Sequence, residues 1–403
     1  MEVQPISQLR VPSASDVDHA QLRAERLERL RAVMRERNAP VCLLFEPANV
    51  RYATGTSVMS AWSAMASVRY CLVGANDGLI LFEQDVGLAV ASQFVQDVRV
   101  ATWWQWHGQR STALAAQFAA GVTEALRDLG LVDEPVAVDR VETAGALALR
   151  RAGIELVPAG PLVDAAREVK TPEEIKLLII NGAIGDAILT EFEAAIHPGI
   201  REYELYAVLS DALLRRQGEL VFTRLVASGR NTNPWGSEAG DKIVMAGDLV
   251  GVDTDALGYG GYLIDVSRTF HCGAAPAREQ IELYQRAHEC VTGMREVAQP
   301  GMSYREFAEA APDLPDPYRA QRYEMLVHGA GLEDEGPIIY YPDQCENPND
   351  EYFQENMSLC FECYVGAPGG AFGVKLEDQV LLTANGAELL STFPYDAALL
   401  GIA

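Results

Sequence analysis

Asp253, Asp255 and Asp265 fall within thirteen residues, in the stretch GVDTDALGYGGYLID, which is otherwise apolar, β-branched and punctuated by glycine. In an extended strand the first two point to one face, because side chains alternate with period two. LGYGGY reads as a turn, and a hairpin folded about Gly260 sets Asp265 opposite Asp255. Like charges this close in an apolar setting do not all stay ionised without a compensating cation, so the chemistry indicated is metal binding. A surface hairpin with solvated aspartates is the competing reading. The flanking Leu249, Val250, Val252, Leu263, Ile264 and Val266 argue against it.

Three later segments also hold polar residues in apolar surroundings: LVHGAGL with His328, LCFECYV with Glu362, and GVKLEDQVLL with Glu377. Singly, His328 reads as a hydrogen-bonded core histidine and Glu377 as a strand-end charge. Together with the aspartates they make five carboxylates and one imidazole. That set suits two divalent ions of borderline hardness, Mn, Fe, Co or Zn, rather than a thiolate zinc site or an all-oxygen calcium site. CFEC contains a C-x-x-C, but a strand would send Cys360 to the side of Glu362 and Cys363 to the other, which favours packing over a redox pair.

The elements that must position these groups come from a chain of 403 residues, 49% hydrophobic and 22% charged, long enough for two domains at ~150 residues each. Residues 19–37 carry apolar side chains at helical spacing, APVCLLF reads as a buried strand, and VRYCLVGANDGLILF as a hairpin turning at Asn76, Asp77 and Gly78. A second domain begins near residue 165, where Thr171, Pro172 and Glu174 supply an N-cap, a first-turn proline and a capping-box acid. In it, AAIHPGIREYELYAVL (194–209) and EVAQPGMSYREFAEAA (296–311) share a helix end, Pro-Gly and a new helix, placed like a duplicated half. Pro-Gly as a common helix stop is the plainer reading of that pair.

Lysine plus arginine number 32 against 57 acidic residues, and the net charge of −25 repels phosphate backbones and anionic lipid, so nucleic acid and membrane partners are not expected. Seven scattered cysteines and an N-terminus without a basic-then-apolar leader point to a cytoplasmic protein.

Asp253/Asp255, Asp265, His328, Glu362 and Glu377, in that order, resemble the metal-ligand set of the creatinase, aminopeptidase P and prolidase superfamily, and VKTPEEI and the paired Pro-Gly helices fit it. The resemblance implies an α+β chain: a smaller creatinase-type mixed α/β domain over residues 1–164, then a pita-bread metal-binding domain over 165–403, a curved antiparallel sheet covered by helices with an internal pseudo-repeat. The departures are specific. Thr254 stands where the peptidases place their first ligand, with aspartates on both sides. The two histidines with which peptidases handle the tetrahedral intermediate are replaced, in TNPWGS by Trp235 and in HGAGLEDEGP by Asp334 and Glu335.

This altered pattern resembles the dimethylsulfoniopropionate lyases of the pita-bread type. It implies Asp334 as catalytic base, Trp62 and Tyr323 lining the substrate site, iron as the favoured metal, and a homodimer. The expected reaction on this small zwitterion is β-elimination, with Trp62, Tyr323 or Trp235 offering aromatic faces to the sulfonium. Competing readings stay open: Trp62 as a plug between domains, Tyr323 as core, and EDE at 333–335 as a solvated acidic turn. The alternative activities are an Xaa-Pro dipeptidase or creatinase-like C–N hydrolase, and a metal-binding interaction protein on a retired enzyme fold.

Overall fold

The computed structural model describes residues 12–57, 60–273 and 275–402; the expectation about the N-terminal leader falls largely outside them. The chain divides into two compact units, Asp18–Arg167 and Glu168–Ala403, the latter with the described residues before Asp18. Among the described residues no helix is long and apolar enough to cross a membrane.

The first unit is built on a six-stranded mixed sheet, ordered Asp97–Val100, Leu79–Glu83, Tyr70–Gly74, Val41–Leu44, Val136–Val138, Leu156–Pro158. The VCLL and YCLVG strands are buried throughout, as central strands covered on both faces must be. The hairpin Tyr70–Gly74/Leu79–Glu83 is antiparallel and turns through Gly78 at φ +84°. Parallel neighbours such as Val41–Leu44 and Val136–Val138 need a crossover. The helix Ser111–Asp128 lies in that connection, and its Phe118, Val122 and Leu126 pack into the core with Leu43, Tyr70 and Leu72.

The second unit pairs its strands only antiparallel among the described residues. Two three-stranded pieces, Ser267–His271/Leu249–Asp253/Val226–Ser228 and Leu263–Ile264/Ala256–Leu257/Leu220–Val221, share the aspartate hairpin. A five-stranded sheet follows, ordered Asp334–Tyr340, Met325–Ala330, Ser358–Gly366, Gly373–Thr383, Gly386–Leu389. The helices Pro172–Ala195 and Glu202–Leu214 pack on the first strand group, and Arg278–Val297 on the second, each over its own core.

Local chemistry sets these helices. Thr171 accepts from the Glu174 amide while Glu174 accepts from the Thr171 amide, with Pro172 at the first turn. The two Pro-Gly segments repeat one geometry: Gly199 and Gly301 take positive φ, the residue before each following helix forms an isolated bridge (Arg201 to Ile243, Ser303 to Tyr352), and both helices carry a glutamate at the third position that accepts from the capping amide. The two Pro-Gly segments are therefore alike in local structure as well as in sequence.

The two strand groups meet where Ser267–His271 lies beside Gly373–Thr383. Thr269 Oγ1 donates to Lys375 O at 2.9 Å, and Arg268 donates to Glu377 O at 2.6 Å and to Asp378 at 3.0 Å. All eleven residues of Gly373–Thr383 are buried, although Lys375, Glu377, Asp378 and Gln379 sit among them. Such groups need partners to be tolerated there. Asp378 has Arg268, Arg295 and Tyr395, and Gln379 holds Leu263 O and the Asp265 amide. Lys375 and Glu377 face the aspartate hairpin.

Candidate metal centre and its cavity

The aspartate hairpin is not one uninterrupted strand, which corrects the period-two expectation for Asp253 and Asp255. The strand ends at Asp253, Asp255 takes φ +31°, and pairing resumes at Ala256. Thr254 fixes the break: its hydroxyl donates to Ile264 O at 2.8 Å and accepts from the Val266 amide at 2.9 Å. The register on either side, Ser267 against Asp253 and Ala256 against Ile264, leaves Asp255 and Asp265 facing each other. One carboxylate oxygen from each of Asp253, Asp255 and Asp265 lies within 4.8 Å of the others.

Asp265 also belongs to a second group, with His328, Cys360 and Glu377, drawn together to the same limit. His328 Nε2 is 3.3 Å from Glu377 Oε1, 3.5 Å from Asp265 Oδ2 and 3.7 Å from Glu362 Oε1. Its Nδ1 donates to Gly329 O at 3.0 Å, which turns Nε2 toward the carboxylates. Cys360 lies on this side of its strand, whereas Cys363 packs into the helix-covered core.

Among the described residues, Asp253 Oδ1, Asp265 Oδ1 and Glu362 Oε1 are buried without a hydrogen-bond partner. Buried carboxylate oxygens without donors are costly. Three around one locus, with an imidazole nitrogen among them, fit divalent cations of borderline hardness.

The electrostatics agree. Burial, then Asp253 and Glu377, push the Asp255 carboxyl up to about 8. Burial raises Asp265 well above the aspartate range, with Glu377, Asp255 and Asp253 adding to it. Burial, with Glu377 adding, pushes Glu362 up to about 7 against the pull of Lys375 and His328. Burial works to lower His328, but its hydrogen bond to Glu377 and the charges of Glu362, Glu377 and Asp334 raise it to about 10. The upward shifts of His328 and Asp255 favour protons on these groups that a metal must displace. Divalent metal added to stripped protein is expected to release protons, and its apparent affinity to climb as pH rises through 7 and 8 and fall below 7, where Glu362 is protonated too. Calorimetric titration in buffers of different ionisation enthalpy measures this, and heats that do not depend on the buffer would contradict it.

Sequence reasoning missed Lys375. Its ammonium has no exposed side-chain surface and lies 2.8 Å from Glu362 Oε2, 3.0 Å from Glu377 Oε2, 3.2 Å from Asp253 Oδ2 and 3.0 Å from Ser267 Oγ. The signal was present: a strand residue two before Glu377 shares its face. Tyr323 and Trp235, read as faces for a substrate cation, hold their rings over this ammonium, at 4.7 and 5.8 Å. Gly251 makes room for Trp235, since a Cβ there would stand 2.9 Å from the indole. Trp62 belongs to the first unit, 44% exposed and edge-on to Trp106 at 5.5 Å.

A cavity of about 330 Å³ opens beside the cluster, lined by Phe222, Thr223, Asp255, Glu333 and Asp334. The pairing of Leu220–Val221 with Ala256–Leu257 brings the first two there, and Thr223 Oγ1 donates to Asp255 Oδ2 at 2.5 Å. The Asp334 side chain is 67% exposed, with Oδ1 3.8 Å from His328 Nδ1. Of residues 333–335, read as a possible solvated acidic turn, Glu333 is half-buried at a bend and Asp334 is exposed, whereas Glu335 departs from that reading. Glu335 is buried in an ion pair with Lys170, and Asp334 opens the strand that runs on from it. Gly329 lets that strand close in, because a Cβ on it would stand 2.1 Å from Gly336 O.

Comparison with known proteins agrees with this architecture. Residues 177–384 match metallopeptidase family M24, and residues 26–169 match the creatinase/prolidase N-terminal domain. The chain is 34% identical over 397 residues to the dimethylsulfoniopropionate lyase DddP of Roseovarius nubinhibens, covering 95% of this chain and 89% of that one. It is 34% identical over 233 residues to the Xaa-Pro dipeptidase of Pyrococcus furiosus, covering 56% and 63%. Among solved structures, an Xaa-Pro dipeptidase from Bacillus anthracis superposes with a TM-score of 0.74 at 24% identity, over 93% of this chain and 98% of that one. The antiparallel second unit is thus the pita-bread fold.

Proposed function

The chain belongs to metallopeptidase family M24, and from that premise we propose that this enzyme is a metal-dependent lyase cleaving dimethylsulfoniopropionate to dimethyl sulfide and acrylate. One observation carries the reading: among the described residues the cavity beside the cluster is lined by carboxylates, with Asp334 outside the ligand groups and no histidine on the wall. Peptide hydrolysis in this fold uses imidazoles there, whereas an elimination needs a base and a place for a leaving group. The similarity to the DddP lyase over 95% of the chain supports the same choice.

In this reading Asp253, Asp255, Asp265, His328, Glu362 and Glu377 hold two divalent ions. When bound, these supply positive charge that stabilises the enolate-like transition state of the substrate carboxylate. Asp334 takes the proton from the carbon next to that carboxylate. The C–H electron pair becomes the C=C bond of acrylate, the C–S bond breaks, and its pair leaves on sulfur as neutral dimethyl sulfide. Asp334, open to solvent, then returns its proton to water. Asp255, with Thr223 donating to its Oδ2, is assigned to the metals in this reading and so does not compete as base. Phe222, half exposed on the cavity wall, offers the aromatic face for the sulfonium. The resemblance to the lyases is what supports iron as the proposed metal and a homodimer as the proposed assembly, which metal analysis and sedimentation of the purified enzyme would read.

The deciding experiment incubates metal-loaded protein with dimethylsulfoniopropionate, with Xaa-Pro dipeptides and with creatine. Dimethyl sulfide in the headspace and equimolar acrylate are expected from the first alone. Proline release without dimethyl sulfide would make the protein a dipeptidase and overturn the proposal.

A further inference from the structure

We propose that Lys375 is a resident cation of the carboxylate cluster, matching it to two divalent ions and holding it together when they are absent. Asp253, Asp265, Glu362 and Glu377 are buried and Asp255 is half-buried beside them, and with every carboxyl ionised, as metal binding requires, they carry five negative charges. The Lys375 ammonium, against three of them at 2.8–3.2 Å, leaves four, the charge that two divalent ions neutralise.

Its contacts are selective as well. It takes Asp253 Oδ2, Glu362 Oε2 and Glu377 Oε2, while Asp253 Oδ1 and Glu362 Oε1 stay without a hydrogen-bond partner and Glu377 Oε1 faces His328. Each of the three carboxylates is thereby turned, with one oxygen held by the protein and the other presented to the metal locus. Four oxygens surround the three N–H donors of the ammonium, and no side-chain surface is exposed, so Lys375 has no donor left for substrate. Its backbone is fixed too, the amide donating to Thr269 Oγ1 and the carbonyl accepting from it. Lys375 is a positioning residue, acting through the ligands it holds.

The inference rests on the cluster binding metal and not on which substrate is cleaved. The test uses the full chain as wild type, Lys375→Met, Lys375→Gln and Lys375→Arg, each loaded with Mn²⁺ alone and again after chelator treatment. Bound metal is counted by mass spectrometry and Tm is measured by calorimetry. Wild type is expected to bind two ions. Lys375→Met and Lys375→Gln are expected to lose at least about twice as much Tm in the stripped as in the loaded protein, and Lys375→Arg to recover most of the stripped-state loss. Equal losses in both states mark a packing role only and overturn the proposal, as does Lys375→Arg behaving like Lys375→Met. If Lys375→Met does not fold, the Gln and Arg variants decide by the same comparison. A wild type that binds no ion removes the metal reading itself, a result distinct from failure at Lys375.

Discussion

Asp334→Ala is expected to lower turnover of dimethylsulfoniopropionate by about 10²–10⁴-fold, the usual contribution of a positioned base, while bound metal stays at the wild-type level. The separation follows from the geometry. Asp334 is outside both ligand groups, two-thirds exposed, and 3.8 Å from the His328 nitrogen that turns away from the cluster. Because the side chain is open to water, its removal should change stability by no more than about 0.5 kcal/mol. Asp334→Asn keeps the shape without the basic oxygen and should lose as much. Initial rates of dimethyl sulfide release, read beside metal content, measure the effect. An Asn variant with wild-type turnover would take the base role away from Asp334.

Glu377→Ala should act through a different cause and fail more completely, losing bound metal and turnover together. Glu377 is the most connected carboxylate of the cluster: Ser267 donates to it at 2.9 Å and Lys375 at 3.0 Å, and His328 Nε2 stands 3.3 Å away. Burial opposes its ionisation, but Lys375 and His328 outweigh it and hold its carboxyl below the usual glutamate range. It is therefore the cluster's firmest negative charge. Truncation removes an acceptor from buried donors, at a cost of about 1–3 kcal/mol in unfolding free energy. Metal analysis, turnover and denaturant unfolding are the three readouts. A variant retaining its full metal load would show that Glu377 is not a ligand.

What the sequence makes legible here is what short-range physics determines. The Thr171–Glu174 box, the Asn76–Gly78 turn and the Pro-Gly repeats are local, and each is read from side chains within a few positions of one another. The aspartates stand out because charge inside β-branched runs is expensive. Their order with His328, Glu362 and Glu377 resembles a known ligand set, and the pita-bread fold is what that resemblance implies and the solved structures match. Lys375 escapes notice because a lone lysine before a glutamate reads as an ordinary strand pair, and only the packing of Gly373–Thr383 against the hairpin shows that it is buried. Phe222 and Thr223 escape for a topological reason: they reach the cavity through a two-residue pairing some thirty-five positions along the chain, Val221 with Ala256. The break at Thr254 is hidden by a composition that favours an unbroken strand.

That break bears on how this chemistry can be lost. A left-handed backbone at a residue other than glycine is tolerated best by Asp and Asn, so the bend narrows which replacements position 255 can accept. One nucleotide converts an aspartate codon to asparagine or glycine. Either substitution preserves the conformation while deleting the charge. A lineage freed from selection for catalysis can therefore drift to an inert but intact chain through this single codon, its fold giving no sign that the reaction has gone.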